Sequence, residues 1–227
     1  VAKASYLQGL RIRATRLDEC GAIDYGNCSS VVSKGFISIE LENQETSPEE
    51  ISQVLADGTR CYYQNTPKLL NGVQATIEFC EVDPELFEIM TGSPLVLDDD
   101  DEPQGFTTDS AAYGIANVAL EVWMKIANSD CTTFGRRWGY YLMPWLYQGV
   151  VGKPTIENGA VTFTVNEALT HDGNQWGVGP YNIQYDNADV LSPLFVPITT
   201  TTHDLLYKVN LAPPAVTDGC VALSPLS

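Results

Sequence analysis

The chain has 227 residues, with 12 Lys and Arg against 29 Asp and Glu for a formal net charge of −17, and 44% of its residues are hydrophobic. That apolar share is ample for a buried core and excludes disorder over most of the chain, while the acidic balance excludes holding DNA or RNA by neutralising phosphates. The longest apolar candidate, residues 140–152, is interrupted by Pro144 and falls short of the roughly 18 residues that a membrane-spanning helix needs, so no membrane partner is expected.

Charge is distributed unevenly from the start. Lys3, Arg11, Arg13 and Arg16 precede the first acid, Asp18, whereas residues 40 to 109 hold 17 acids and only Arg60 and Lys68. Such polarity fits head-to-tail self-association or simply a solvated acidic face. The pair Asp57-Gly58 marks a hairpin between strands at 51–56 and 59–64, because both residue types tolerate the positive φ of tight turns. Val73, Ala75, Ile77 and Phe79 then alternate with Gln74, Thr76 and Glu78, the pattern of a strand with one buried face.

A short helix follows over about 83–91. Asp83 caps it, Pro84 suits its first position, Glu85 complements the positive end of its dipole and Gly92 ends it. Leu86, Ile89 and Met90 form its apolar stripe against a sheet. Residues 93–110 read as an irregular acidic loop, with its densest charge from about 98. Further along, Ala116, Val118, Leu120, Val122, Met124 and Ile126 place one apolar face on a strand. Asn158-Gly159 marks a second hairpin, between 155–157 and 160–166. Residues 186–202, with Pro193 and Pro197, read as irregular, and Leu205, Tyr207, Val209 and Leu211 as a last strand. No repeat or linker divides the chain, so one domain over 1–227 is expected.

The residues that could carry chemistry have plainer readings. The run Asp98, Asp99, Asp100, Asp101 and Glu102 concentrates oxygen ligands but lacks the spacing and central glycine of a calcium loop. His171-Asp172 and His203-Asp204 suggest a general base, yet neighbours on a strand point to opposite faces and no nucleophile elbow, zinc-protease motif or phosphate loop accompanies them. No catalytic residue, cofactor or metal site is therefore expected. Cysteines stand at 20, 28, 61, 80, 131 and 220 without a Cys-x-x-Cys pair. Three disulfides and six buried thiols both fit, and buried thiols are favoured in a chain large enough to need no staples. The aromatic run at 138–147, WGYYLMPWLY, reads as core before it reads as a stacking platform.

Several strings taken together resemble the major tail proteins, or tail-tube subunits, of long-tailed siphovirus bacteriophages infecting actinobacteria. The most specific is IEFCEVDPELFEIMTG at 77–92. Supporting strings are RATRLDECG at 13–21, LEVW at 120–123, IENGAVTFT at 156–164, WGVGPY at 176–181 and the Ala-Pro-Pro before Cys220. The resemblance implies a mainly β subunit, sandwich or barrel-like, with one flanking helix and a long hairpin arm over about 41–64. It implies stacked six-membered rings forming a hollow virion tube, assembled in the bacterial host cytoplasm, through which double-stranded DNA passes without tight binding. Tape-measure, tail-terminator and distal tail proteins are the partners it implies. On that reading Glu40, Glu42, Glu78 and Asp98 to Glu102 are candidate lumen acids that repel the polyanion. Arg11, Arg13, Arg16, Asp57, Gly58 and Arg60 are candidate inter-subunit contacts. The competing expectations are a capsid decoration protein, or a secreted carbohydrate-binding β-sandwich using Trp138, Tyr140, Trp145 or Trp176.

Overall fold

The computed structural model describes residues 5–127, 138–154, 156 and 158–226. Along the first half run β1 (Tyr6–Arg16), β2 (Ser30–Ser33), β3 (Phe36–Thr46), β4 (Glu50–Val54), β5 (Arg60–Asn65), β6 (Leu69–Phe79), α1 (Pro84–Thr91), β7 (Leu95–Leu97) and β8 (Pro103–Phe106). The second half carries β9 (Asn117–Ile126), β10 (Trp138–Tyr147), β11 (Val150–Val151), β12 (Phe163–Thr170), β13 (Gln184–Tyr185), β14 (Leu191–Ser192) and β15 (Leu205–Val209). The fold is mainly β, a large antiparallel sheet with one short helix, as expected.

The sheet runs β2-β1-β9-β10-β12-β6-β3, with β15 beside the first half of β10 and β11 beside β12. One face is covered by α1 along its length and the other is covered over β9 and β10. On one face Ile12, Ala14, Ala75, Ile77, Phe79, Val118, Leu120 and Val122 meet Leu86, Phe87, Ile89 and Met90 of α1. On the other, Ala119, Trp123, Tyr140, Leu142 and Trp145 meet Trp176, Ile183 and Leu194 from the chain after β12.

This two-sided cover corrects the one-faced reading of β9. The even positions pack as expected, but Ala119, Glu121 and Trp123 are also buried, because the C-terminal layer closes over them. Pro144 sits inside β10, where the register with β9 shifts between Met143 and Leu146; the bulge accommodates a residue that cannot donate to the ladder.

The helix forms as its caps dictate. The Asp83 carboxylate accepts from the N–H groups of Glu85 and Leu86 at 3.1 and 3.2 Å, and Gly92, at φ 74°, donates its N–H to Glu88 O at 2.8 Å. Phe87 is buried as well as the expected stripe, because the segment after the helix is ordered rather than irregular. β7 and β8 form a hairpin that carries Phe106 onto Phe87, with ring centroids 5.0 Å apart. Asp98–Glu102 is the turn of that hairpin, held by Asp98 accepting from the N–H groups of Asp100 and Glu102.

The second expected hairpin also differs. β12 begins at Phe163 and pairs with β11, so Asn158-Gly159 lies within a longer connection, of which 155 and 157 fall outside the described residues. Val150 and Val151 offer β12 an apolar partner, whereas Ile156 is 83% exposed. Within 186–202 the small β13–β14 hairpin contributes Leu191 and Ser192, and the remainder is irregular as expected.

Candidate functional site

The most distinctive surface grows out of β3 and β6. Both strands continue past the core, and beyond Glu40 β3 is exposed almost throughout. β4 and β5 then pair only with each other, and every residue of both is exposed. Ion pairing of Lys68 with Glu45 at 2.7 Å and a Thr46–Asn71 hydrogen bond at 2.9 Å brace the base. At the tip Gly58 takes φ 85° and donates its N–H to Leu55 O at 2.9 Å, while Asp57 accepts from Thr59 N–H and Oγ1–H. Only the glycine of the Asp57-Gly58 pair has positive φ, which is the three-residue loop with a bulge, where a two-residue turn was expected.

The arm is apolar as well as exposed. Ile51, Val54, Leu55, Tyr62 and Tyr63 are each about half accessible. Arg60 lies 4.9 Å from the Tyr63 ring, and Tyr62 donates its hydroxyl to Gln64. A two-stranded hairpin with no packed face is marginal by itself, and no described residue covers these side chains.

The candidate lumen acids divide into two groups. Glu40 and Glu42 lie opposite Thr76 and Gln74, and Glu78 opposite Ser38, so all three acids share the polar face of the β3–β6 pair. The inward partners Ile39 and Ile77 face α1. Asp98 to Glu102 belong to the β7–β8 hairpin, which packs on α1 at the opposite face of the sheet. One wall cannot hold both groups.

The basic candidates divide too, and Arg13 and Arg16 are both engaged by acids of their own chain. Arg13 is 7% exposed; its Nε and Nη2 donate to both oxygens of the fully buried Glu121 at 2.5 and 2.6 Å. Tyr140 O–H donates to the same carboxylate at 2.7 Å, and the guanidinium lies 3.2 Å from the Tyr181 ring centroid. Burial alone would loosen the Arg13 proton, but the Glu121 carboxylate outweighs it and holds the guanidinium above its ordinary value. Burial, reinforced by the Glu121 charge, pushes the Tyr140 hydroxyl well up, and burial raises Tyr181. Arg16 is half-buried and makes two bonds to Glu88 of α1. Arg11 donates to Leu10 O at 2.7 Å, and its buried Nε lacks a hydrogen-bond partner. Asp57, Gly58 and Arg60 stand exposed on the arm, while Lys3 lies outside the described residues.

The cysteine expectation is corrected as well. Cys28 and Cys220 form a disulfide, and Cys20, Cys61 and Cys80 are exposed free thiols; Cys131 lies outside the described residues. Glu85 approaches the disulfide, but its two sulfurs are bonded to each other and offer no thiolate to a metal. His171 stacks on Trp145 at 4.4 Å and lies 3.3 Å from Asp172, whereas His203 Nδ1 meets Thr170 Oγ1 at 2.9 Å and Asp204 accepts from Tyr141. Tyr140, Trp145 and Trp176 are at most 8% exposed, so three of the four aromatic platforms proposed for sugars are core. No described helix is long and apolar enough to cross a membrane.

Sequence reasoning missed the Arg13–Glu121 pair, whose members stand 108 residues apart. The one available signal was an acid inside the otherwise apolar LEVW. No protein-family model matches the chain, and no curated protein matches it in sequence.

Proposed function

We propose that this chain is a structural subunit that assembles with copies of itself into the tube of a long-tailed phage, as its sequence resemblance implies, and that the β4–β5 arm is the element that reaches a neighbouring copy. The carrying observation is that arm: 16 residues from Glu50 to Asn65 with no buried side chain, exposing Ile51, Val54, Leu55, Tyr62 and Tyr63. A chain of this acidity would not expose so much apolar surface on a projecting hairpin unless association covered it. The outer edge of β3, which among the described residues pairs with β6 alone, supports the same reading, since an uncovered strand edge is a template for another strand.

The polar β3–β6 face, bearing Glu40, Glu42 and Glu78, is the better candidate for the lumen wall. Its three acids lie on one face of a paired strand ladder, whereas Asp98 to Glu102 sit on a separate hairpin on the helix side. Acids on such a wall would let DNA slide without sticking. Tape-measure, terminator and distal tail proteins are the partners this reading carries, and the virion tail is its location.

Negative-stain electron microscopy across a concentration series tests the proposal. Hollow tubes or rings are expected from the parent chain and not from an Ile51→Ser/Leu55→Ser/Tyr62→Ser variant. Monomers at every concentration, or tubes formed equally by the variant, would overturn the role given to the arm.

A further inference from the structure

The chain holds two Asn-Gly pairs, Asn71-Gly72 and Asn158-Gly159, and the fold gives them opposite surroundings. Such a pair can react with itself. The glycine has no Cβ beside its backbone nitrogen, so that nitrogen can approach Cγ of the preceding asparagine closely. The approach also requires the asparagine backbone to turn away from extended values, which makes backbone freedom the deciding quantity.

Asn71-Gly72 lacks that freedom. Both residues lie within β6, with Gly72 opposite Gln44 in the β3–β6 ladder, and the Asn71 side-chain oxygen accepts from Thr46 Oγ1–H at 2.9 Å. Gly72 is buried, and a Cβ added there would stand 2.6 Å from Thr170 O. Turning Asn71 out of the strand would break the ladder where β6 lies against β12.

Asn158-Gly159 is held by none of these. The β11–β12 pairing reaches only to Gly152, whose N–H donates to Thr164 O at 2.8 Å, and β12 begins at Phe163. Between them Asn158, Gly159 and Ala160 are exposed, and among the described residues no hydrogen bond engages any of the three. A Cβ added at Gly159 would meet no described heavy atom within 4 Å. The pair that reads from sequence as a hairpin turn is thus an unrestrained stretch of connection.

We infer that Asn158 is a self-modification site, at which the chain converts its own asparagine to aspartate and isoaspartate with water as the co-reactant, while Asn71 is protected by its ladder. The Gly159 nitrogen gives up its proton and attacks Asn158 Cγ, forming a C–N bond. The side-chain nitrogen leaves as ammonia, and a five-membered succinimide remains. Water then opens that ring at either carbonyl: cleavage at Cγ leaves aspartate, and cleavage at the backbone carbonyl leaves isoaspartate, whose main chain runs through Cγ. No oxidant or reductant is involved. Each conversion adds one negative charge to a chain already at −17, at a place where no described contact depends on the backbone path. The inference does not depend on assembly into a tube.

Peptide mapping by mass spectrometry tests it on the full chain, kept in warm, mildly alkaline buffer both folded and in denaturant. In the folded chain Asn158 is expected to convert at least about tenfold faster than Asn71, since only Asn71 must first open a strand pair. In denaturant the two pairs should convert within about threefold of each other, because that protection is gone. Gly159→Ala should slow conversion at Asn158 about tenfold by placing a Cβ beside the attacking nitrogen. This variant keeps the fold, since position 159 has room for the methyl and no positive φ. Comparable rates at the two pairs in the folded chain would overturn the inference. So would an Asn158 that stays intact when folded and converts only in denaturant, or a Gly159→Ala variant that converts as fast as the parent.

Discussion

At the residue scale the buried charge around Arg13 is where single substitutions act most strongly. Glu121 is fully buried and accepts from Arg13 twice and from Tyr140 once, so removing it strands a guanidinium in the core. Glu121→Ala is expected to cost about 3–5 kcal/mol in chemical unfolding, and Tyr140→Phe about 1–3 kcal/mol, since it removes one hydrogen bond to a charged acceptor. Because all three groups share one network, the double variant should cost less than the sum. Two exposed aspartates respond to pH instead. Hydrogen bonds from the Thr59 side chain and backbone hold Asp57 below 3.8, and backbone bonds from Glu102 and Asp100 do the same for Asp98. A carboxyl with a lowered folded value contributes its turn's stability above 3.8 and loses it as pH falls through that lower value. Amide resonances of Thr59 and Glu102 followed by NMR should therefore shift below pH 3.8; midpoints at or above 3.8 would contradict the turn bonds.

At the scale of elements, α1 and the arm are opposites. The helix is short, but its cap, its C-terminal glycine and its apolar stripe all favour the same structure, and burial against the sheet and Phe106 completes it. Asp83→Ala should lower stability by about 1 kcal/mol, read from the denaturation midpoint at unchanged slope. The arm has local turn chemistry and no core. Replacing Ile51, Leu55 and Tyr62 by serine should leave monomer stability within about 0.5 kcal/mol of the parent while abolishing assembly. A large loss of monomer stability would mean that the arm packs on its own chain.

For the whole molecule, charge sets the conditions of association. Each chain brings −17, and Arg13 and Arg16 have acidic partners within their own chain, so little positive charge from that segment is left to offset repulsion between copies. Raising ionic strength from about 10 to 150 mM should therefore promote rather than suppress tube formation, because screening shortens the reach of like charges. Sedimentation across that range measures it; assembly that weakens with salt would instead place attractive ion pairs at the contact.

Local patterning was legible in the sequence wherever one neighbourhood decided the outcome. The alternation from Val73 to Phe79, the Asp83 to Gly92 helix and the exposed turn at Gly58 follow from side-chain period, capping and positive φ, none of which needs a distant partner. What only the tertiary structure decided depends on residues far apart in the chain. The C-terminal layer buries the second face of β9 and, with it, the acid of LEVW that partners Arg13. The β7–β8 hairpin, whose charged turn hides its Leu95 and Phe106, orders a stretch that looks like loop by composition. Cys28 and Cys220, 192 residues apart, meet only because the tail lies along β2. Period and caps are properties of a window, whereas faces, ion pairs and disulfides are properties of the packed chain, and that separates the two kinds of knowledge here.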